Sequence, residues 1–154
     1  ALDKYVAEQG EFLTNKIKNM IVENPDIINK QKKDIIYVIS PFKNVAYQLS
    51  KELNKIEFTR YDKKGKSTNI GTVHTFQGKE APIVFFVLGA DKKCIGAANW
   101  AVGTDNPNIM NVAVTRAKEE FYIIGDKEMY LSLNSDVIND TCKIIEKHNM
   151  NTSL

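Results

Sequence analysis

Cysteine and histidine are scarce in this chain, and long apolar runs are missing from it. Its 2 cysteines, Cys94 and Cys142, lie in unrelated contexts without metal-ligand spacing. That excludes a disulfide scaffold and a zinc ribbon, and the pair reads as reduced thiols of a soluble, intracellular (cytoplasmic) protein. The 2 histidines, His74 and His148, are far apart, so no metal site is expected. No apolar stretch approaches a membrane span, and no signal peptide opens the chain. There is no internal repeat, no low-complexity tract and no evident nucleophile–base pair. The formal net charge of +2 is too small for a global field toward a polyanion. Any nucleic-acid surface must therefore be a local patch.

What remains is the composition of an ordinary globular domain. The 154 residues are 43% hydrophobic and 26% charged, enough for one domain with a proper core. The chain opens on Ala1. Together with the catalytic parts absent below, this gives the expectation of a fragment of a longer polypeptide.

Helical spacing of Phe12, Leu13, Ile17, Met20 and Ile21 predicts a helix over 3–22, stopped before Pro25, with a linker to about residue 33. The β-branched run from Asp34 to Ser40 predicts a buried strand. Pro41 should open a helix that buries Phe42, Val45, Ala46, Leu49 and Leu53 and leaves lysines and a glutamate outside. After a polar stretch from Thr59 to Thr68 come a strand near 69–74, a polar turn at 77–80 and a strand over Ile83–Leu88. Residues 89–106 form a long Gly/Ala/Asp-rich loop of the kind that is usually functional. Pro107 begins a helix that carries Arg116, with Asp105 or Asn106 as its cap. A buried strand over 121–126 follows, then a helical tail at 127–154 whose last residues should fray.

Strands apolar on both faces and alternating with helices predict an α/β fold, a three-layer parallel sheet with helices on both faces. In such sheets the ligand site lies at the carboxyl ends of the strands. Ser40-Pro41-Phe42-Lys43, His74–Glu80, Gly89–Asp91 and Gly125-Asp126 all occupy those ends.

Lys64-Gly-Lys-Ser-Thr68 ends like a phosphate-binding P-loop, but the first glycine of that motif would be Arg60, and a strand, not a helix, follows. It reads as a solvated loop in which Lys63, Lys64 and Lys66 can touch a polyanion. Ile83–Leu88 followed by Asp91 superficially resembles a Walker B strand, and without a P-loop partner it reads as an ordinary buried strand.

Two segments carry more. Thr72-Val-His-Thr-Phe-Gln-Gly-Lys-Glu80 crowds hydroxyls, an imidazole, an amide and charges into nine residues after a strand. Gly78 lets backbone N–H groups approach an anion, and Glu80 can accept from ribose hydroxyls. The plainer alternative is a polar turn with a satisfied histidine. In Asn111-Val-Ala-Val-Thr-Arg-Ala-Lys118, helical spacing places Arg116 inside the apolar arc of Ile109, Met110, Val112, Ala113, Val114 and Ala117. A guanidinium there needs an anion, which is either a carboxylate of the same domain or a ligand phosphate.

The first of these segments resembles motif V of superfamily 1 helicases, and the second resembles their motif VI. Tyr37-Val-Ile-Ser-Pro-Phe-Lys43 with the helix after it is similar to motif IV. The nearest wording is that of the Upf1/Dna2/Senataxin-type branch, and the likeness runs from about residue 34 to 126. It implies a RecA-like domain of the P-loop NTPase type, the C-terminal (second) motor lobe of an ATP-dependent helicase. The motif VI position makes Arg116 the catalytic arginine finger. Gln77, Gly78 and Glu80 then fall on the nucleotide side of the cleft. Ser40, Pro41, Lys43, His74 and Thr75 fall along the track for single-stranded DNA or RNA. ATP and Mg2+ would be held mainly by the first RecA-like domain of the same polypeptide. The Walker A lysine, the Walker B acid pair and the adenine-binding glutamine belong to that lobe and are absent here. The chain should therefore lack its own P-loop and be inactive alone. The alternatives are a non-catalytic nucleic-acid-binding or scaffold domain with this fold, and a small-molecule α/β enzyme using the 89–106 loop as a lid.

Overall fold

The computed structural model describes residues 5–89, 108–125 and 151–153. Helix α1 (Ala7–Glu23) buries Leu13 and Ile17 and ends where Asn24 turns the chain. The Asn24 side chain accepts from the Asp26 amide and starts a 3-10 turn over Pro25–Ile28, so the stop expected before Pro25 is where the helix ends.

Strand β1 (Ile36–Ile39) is buried along its whole length. Helix α2 (Lys43–Asn54) buries Val45, Ala46, Leu49 and Leu53. It begins two residues beyond Pro41, because the Ser40 hydroxyl accepts the Phe42 amide at 3.3 Å and holds the chain in a turn first. The polar stretch after it is a tight hairpin. Tyr61 bridges Ser67 in antiparallel fashion, and the Asp62 carboxylate accepts the Lys64 and Lys66 amides at 2.8 and 2.9 Å.

Strand β2 (Ile70–Gly71) is only two residues long, shorter than the run expected to reach His74. From Val73 to Phe76 the chain is a 3-10 turn. That turn drops the Phe76 ring into the core, fully buried and 4.5 Å from the Tyr37 ring. Strand β3 (Ala81–Val87) contains Pro82, and its pairing shifts register between Ala81 and Ile83. Proline lacks the N–H that a regular ladder would need there.

Helix α3 (Asn108–Thr115) ends before Arg116, and strand β4 runs over Ala117–Ile124. Arg116 is thus not on the apolar arc of a helix, and β4 starts four residues before the strand expected over 121–126. The cause is tertiary: Ala117 pairs with Ala81 of β3, and the Arg116 amide closes the helix on the Ala113 carbonyl at 3.1 Å. Residues 151–153 do not fray; Asn151–Ser153 forms strand β5 against β4. The rest of the expected tail and of the 89–106 loop, with Asp91, Cys94, Trp100, Cys142 and His148, lies outside the described residues, as do the proposed caps Asp105 and Asn106.

The sheet is parallel throughout, in the order β2-β1-β3-β4-β5. The chain steps one way from β1 to β2 and the other way from β3 to β4. Right-handed crossovers then put α2 on one face and α3 on the other, with α1 packed on α2. This is the RecA-like α/β layering expected. The winding reverses between β1 and β3, and the crevice beyond their carboxyl ends is where such sheets bind ligands. Phe85, Phe86 and Phe121 fill the core beneath it, each essentially fully buried.

Candidate functional site

Arg116 sits at the junction of α3 and β4 and grips the other key segment from both sides. Its Nη1 donates to the Phe76 carbonyl at 3.4 Å, and its own carbonyl accepts the Ala81 amide at 3.0 Å. Residues 77–80 are therefore the arch between two backbone positions that the arginine holds. Nη2 donates to the Thr115 hydroxyl at 3.2 Å. Nε is buried and has no hydrogen-bond partner among the described residues. No carboxylate pairs with Arg116 among the described residues, where the ion pairs are Lys55–Glu52 and Arg60–Asp34. A buried, charged donor without an acceptor is costly to leave so. Of the two anions considered from sequence, the domain's own carboxylate is not supplied by any described residue.

The arch itself is exposed from Gln77 through Glu80 and is anchored at both ends by fully buried Phe76 and Ala81. The Lys79 amide returns to the Phe76 carbonyl at 2.9 Å, and with Gln77 at ψ 123° this is a type II turn, which requires a left-handed residue at its third position. Gly78 supplies it at φ 74°, and nothing lies within 4 Å of where its Cβ would be. The surface over Gly78 is open to an approaching group.

The residues expected to line a strand track divide. Ser40 and Pro41 are buried, and the Ser40 hydroxyl accepts the Phe42 amide, so both shape the β1–α2 turn. Lys43 and His74 are exposed, and Thr75 is half-buried. The Thr75 side chain packs so closely on Gly71 that any Cβ at residue 71 would collide with it. Lys43 and Thr75 both border a groove of about 740 Å³ along the outer side of α2. His74 is outside it.

A second polar cluster is structural. Arg60 donates to the Lys32 and Asn29 carbonyls at 2.7 and 2.8 Å, and its Nε lies 3.3 Å from Asp34. Burial pushes the Asp34 carboxyl up, and the nearby Arg60, Lys79 and Lys30 charges only partly oppose it. Burial, with the Asp34 charge behind it, also raises the Tyr37 phenol. Lys30 donates to the Glu57 and Thr59 carbonyls, and desolvation followed by the Arg60 charge lowers it.

The Lys64–Thr68 segment is no phosphate cradle. The backbone amides of Lys64 and Lys66, which would face the phosphates, are taken by Asp62, and β2 follows instead of a helix. Among the described residues no group of three or more His, Cys, Asp or Glu side chains gathers, and no helix is long and apolar enough to cross a membrane. The site thus offers a partly buried cation tied to an open turn, with no phosphate loop among the described residues. Sequence reasoning missed the Phe76 carbonyl, because backbone acceptors carry no signal. It also missed Tyr47, which the spacing along α2 could have revealed, and Tyr61, which only the folded hairpin brings to the groove.

A family model described as an AAA domain matches residues 5–128. Over 130 residues, 82% of its length, the chain is 31% identical to the Schizosaccharomyces pombe protein named Helicase sen1. It spans about 7% of the length of that relative.

Proposed function

The chain belongs to this AAA-domain family, as a superfamily 1 helicase domain of the Upf1/Sen1-like kind, and we propose that it is the second motor lobe of an ATP-dependent nucleic-acid helicase or translocase. The observation that carries the reading is the buried Nε of Arg116, which has no partner among the described residues, on an arginine tied to both ends of the open Gly78 turn. Such a group fits an anion arriving from outside the domain.

In this reading Arg116 is the catalytic finger that stabilises charge developing on the transferring phosphoryl group. Its two bonds to Phe76 and Thr115 hold the guanidinium plane in place beforehand, so little reorganisation is needed. Gln77, Gly78 and Glu80 form the nucleotide-facing arch, with Glu80 accepting from ribose hydroxyls. Lys43, His74 and Thr75 contact the single-strand backbone, positioned by the buried Ser40–Pro41 turn. ATP and Mg2+ bind mainly to a first RecA-like lobe in the same polypeptide. There the metal neutralises charge on the phosphates. An arginine supplied from the facing lobe makes hydrolysis depend on closure, which couples ATP to movement.

The test is ATP turnover. The chain by itself should hydrolyse nothing, with or without single strands. In the full-length parent, Arg116→Ala should lower turnover on the order of 10³-fold or more, and Arg116→Lys should rescue it poorly because an ammonium lacks the planar fork. A scaffold domain that kept only the fold would leave parent turnover unchanged in both variants, and that result would sink the motor reading.

A further inference from the structure

The groove along α2 is lined on one side by a single row of side chains. Lys43, Tyr47, Lys51 and Lys55 recur at every fourth position, the spacing that stacks residues along one helix face. Beside them run Ala46, Ser50 and Asn54, also four apart, whose small side chains leave the floor open. The facing wall is the 61–67 hairpin, which contributes Tyr61 and Lys66, and the floor ends on the β2 edge and Thr72.

That wall is fixed. Asp62 locks the hairpin turn, the Asn69 side chain ties the Arg60 amide to the Phe58 carbonyl, and Thr59 donates to the Ser50 carbonyl of α2 at 2.6 Å. The groove therefore does not need to be ordered by its occupant.

Its chemistry is one-sided. No carboxylate lines it. Of the acids on the two flanking elements, Glu52 pairs with Lys55 at 3.1 Å and Asp62 accepts its own hairpin amides. Tyr47 and Tyr61 are 58% and 47% exposed, among the few large apolar side chains left so. The Lys51 ammonium lies 5.1 Å from the centre of the Tyr47 ring, so positive charge and an aromatic plane are offered together. Lysines interleaved with exposed aromatics along an open groove match a polyanion that carries planar groups. An acidic peptide satisfies the lysines and leaves the tyrosines without purpose.

We propose that this groove binds single-stranded nucleic acid, with Tyr47 and Tyr61 stacking on unpaired bases while Lys43, Lys51, Lys55 and Lys66 hold phosphates. The proposal rests on the reading that the chain acts on single strands. It extends the bound strand from the strand ends of the sheet, at Lys43 and Thr75, down the roughly 18 Å length of α2. Because stacking accepts any base, binding here is independent of sequence, and duplexes, whose bases are already stacked, are excluded from it.

The experiment is a fluorescence-anisotropy titration of the purified chain with unrelated oligonucleotides, repeated across salt and with an abasic strand of equal length. Tyr47→Ala and Tyr61→Ala should each weaken binding on the order of 5- to 100-fold, and Tyr47→Trp should retain it. The abasic strand should bind wild type weakly and be indifferent to either tyrosine. Lys51→Glu with Lys55→Glu should flatten the log–log salt slope by about 0.7 for each phosphate no longer neutralised. Both tyrosines are exposed, so circular dichroism should report native folding throughout. Equal binding of abasic and base-bearing strands, equal competition by polyglutamate, or neutral tyrosine variants would overturn the proposal. If Lys43→Glu weakens binding while the tyrosine variants are neutral, the groove fails and the binding at the strand ends stands. If wild type binds no single strand, both fall.

Discussion

The Arg116 guanidinium donates to the Phe76 carbonyl at 3.4 Å, joining the end of α3 to the turn that precedes β3 across forty residues of sequence. The bond is long for its type, and the neighbouring Nε has no partner among the described residues. Arg116 is thus held in orientation without being saturated, which is what a residue reserved for another anion requires.

Removing it should cost the fold little. Arg116→Ala deletes two long side-chain hydrogen bonds, to the Phe76 carbonyl and the Thr115 hydroxyl, and a buried orphan donor, and strands no carboxylate among the described residues. The melting temperature of the chain should change by less than about 3 °C, or roughly 1 kcal/mol for a domain of this size. A fall of ten degrees or more in differential scanning calorimetry would reveal a structural ion pair and undo the reading of a reserved guanidinium.

Phe76 should be far less tolerant. Its ring is fully buried and packed on Tyr37, so Phe76→Ala should destabilise by about 3–5 kcal/mol through the apolar burial removed and the cavity left behind. Urea denaturation checks this. A change under about 1 kcal/mol would mean that the 73–76 turn is not anchored as the packing indicates.

Gly78 tests the arch separately from the core. Its φ of 74° disfavours any L side chain, though a Cβ there meets no neighbour. Gly78→Ala should cost about 1–2 kcal/mol from backbone strain alone. In the parent protein it should raise KM for ATP more than it lowers stability. A variant with unchanged stability and unchanged KM would remove the need for a left-handed residue at this position.

Asp34 sets a pH dependence. Its folded pKa is raised by burial above the ordinary carboxylate value, so between those two values the folded state holds more protons than the unfolded one. Its contribution is then largest below the ordinary carboxylate range and is lost as pH rises through the raised pKa. Asp34→Asn should remove that component, so the difference in unfolding free energy between wild type and variant should vary with pH only in that window. A difference that is flat in pH, or that grows in wild type's favour as pH rises through the window, would contradict the burial-dominated environment. The pair with Arg60 is absent from the variant at every pH and shifts the difference by a constant once both groups are charged.

Much of this was legible in order along the chain. The alternation of buried strands with amphipathic helices pointed to the parallel sheet. The apolar face of α2 could be read from Val45, Leu49 and Leu53 alone, since a four-residue repeat of apolar side chains has one low-energy arrangement against a core. The wording around Gln77 and Arg116 pointed to the helicase family, and two segments far apart in sequence are joined in the fold by the Arg116 bond to Phe76. The P-loop mimic at Lys64–Thr68 could be rejected from Arg60, and the structure adds the reason that Asp62 uses its amides.

Boundaries and packing partners were a different matter. Helical spacing carries Arg116 onto the helix, because local periodicity cannot see β3; pairing of Ala117 with Ala81 ends α3 one residue before it. Ser40 could be placed at a strand end from sequence, and only the fold shows that it is buried there. The Lys43–Tyr47–Lys51–Lys55 row was already written along α2, but a row of exposed side chains becomes a groove only when a hairpin distant in sequence closes its other side. Sequence thus determined which chemistry the chain carries and on which elements. Tertiary structure decided which of those groups face each other, because burial and backbone pairing depend on partners that local spacing does not contain.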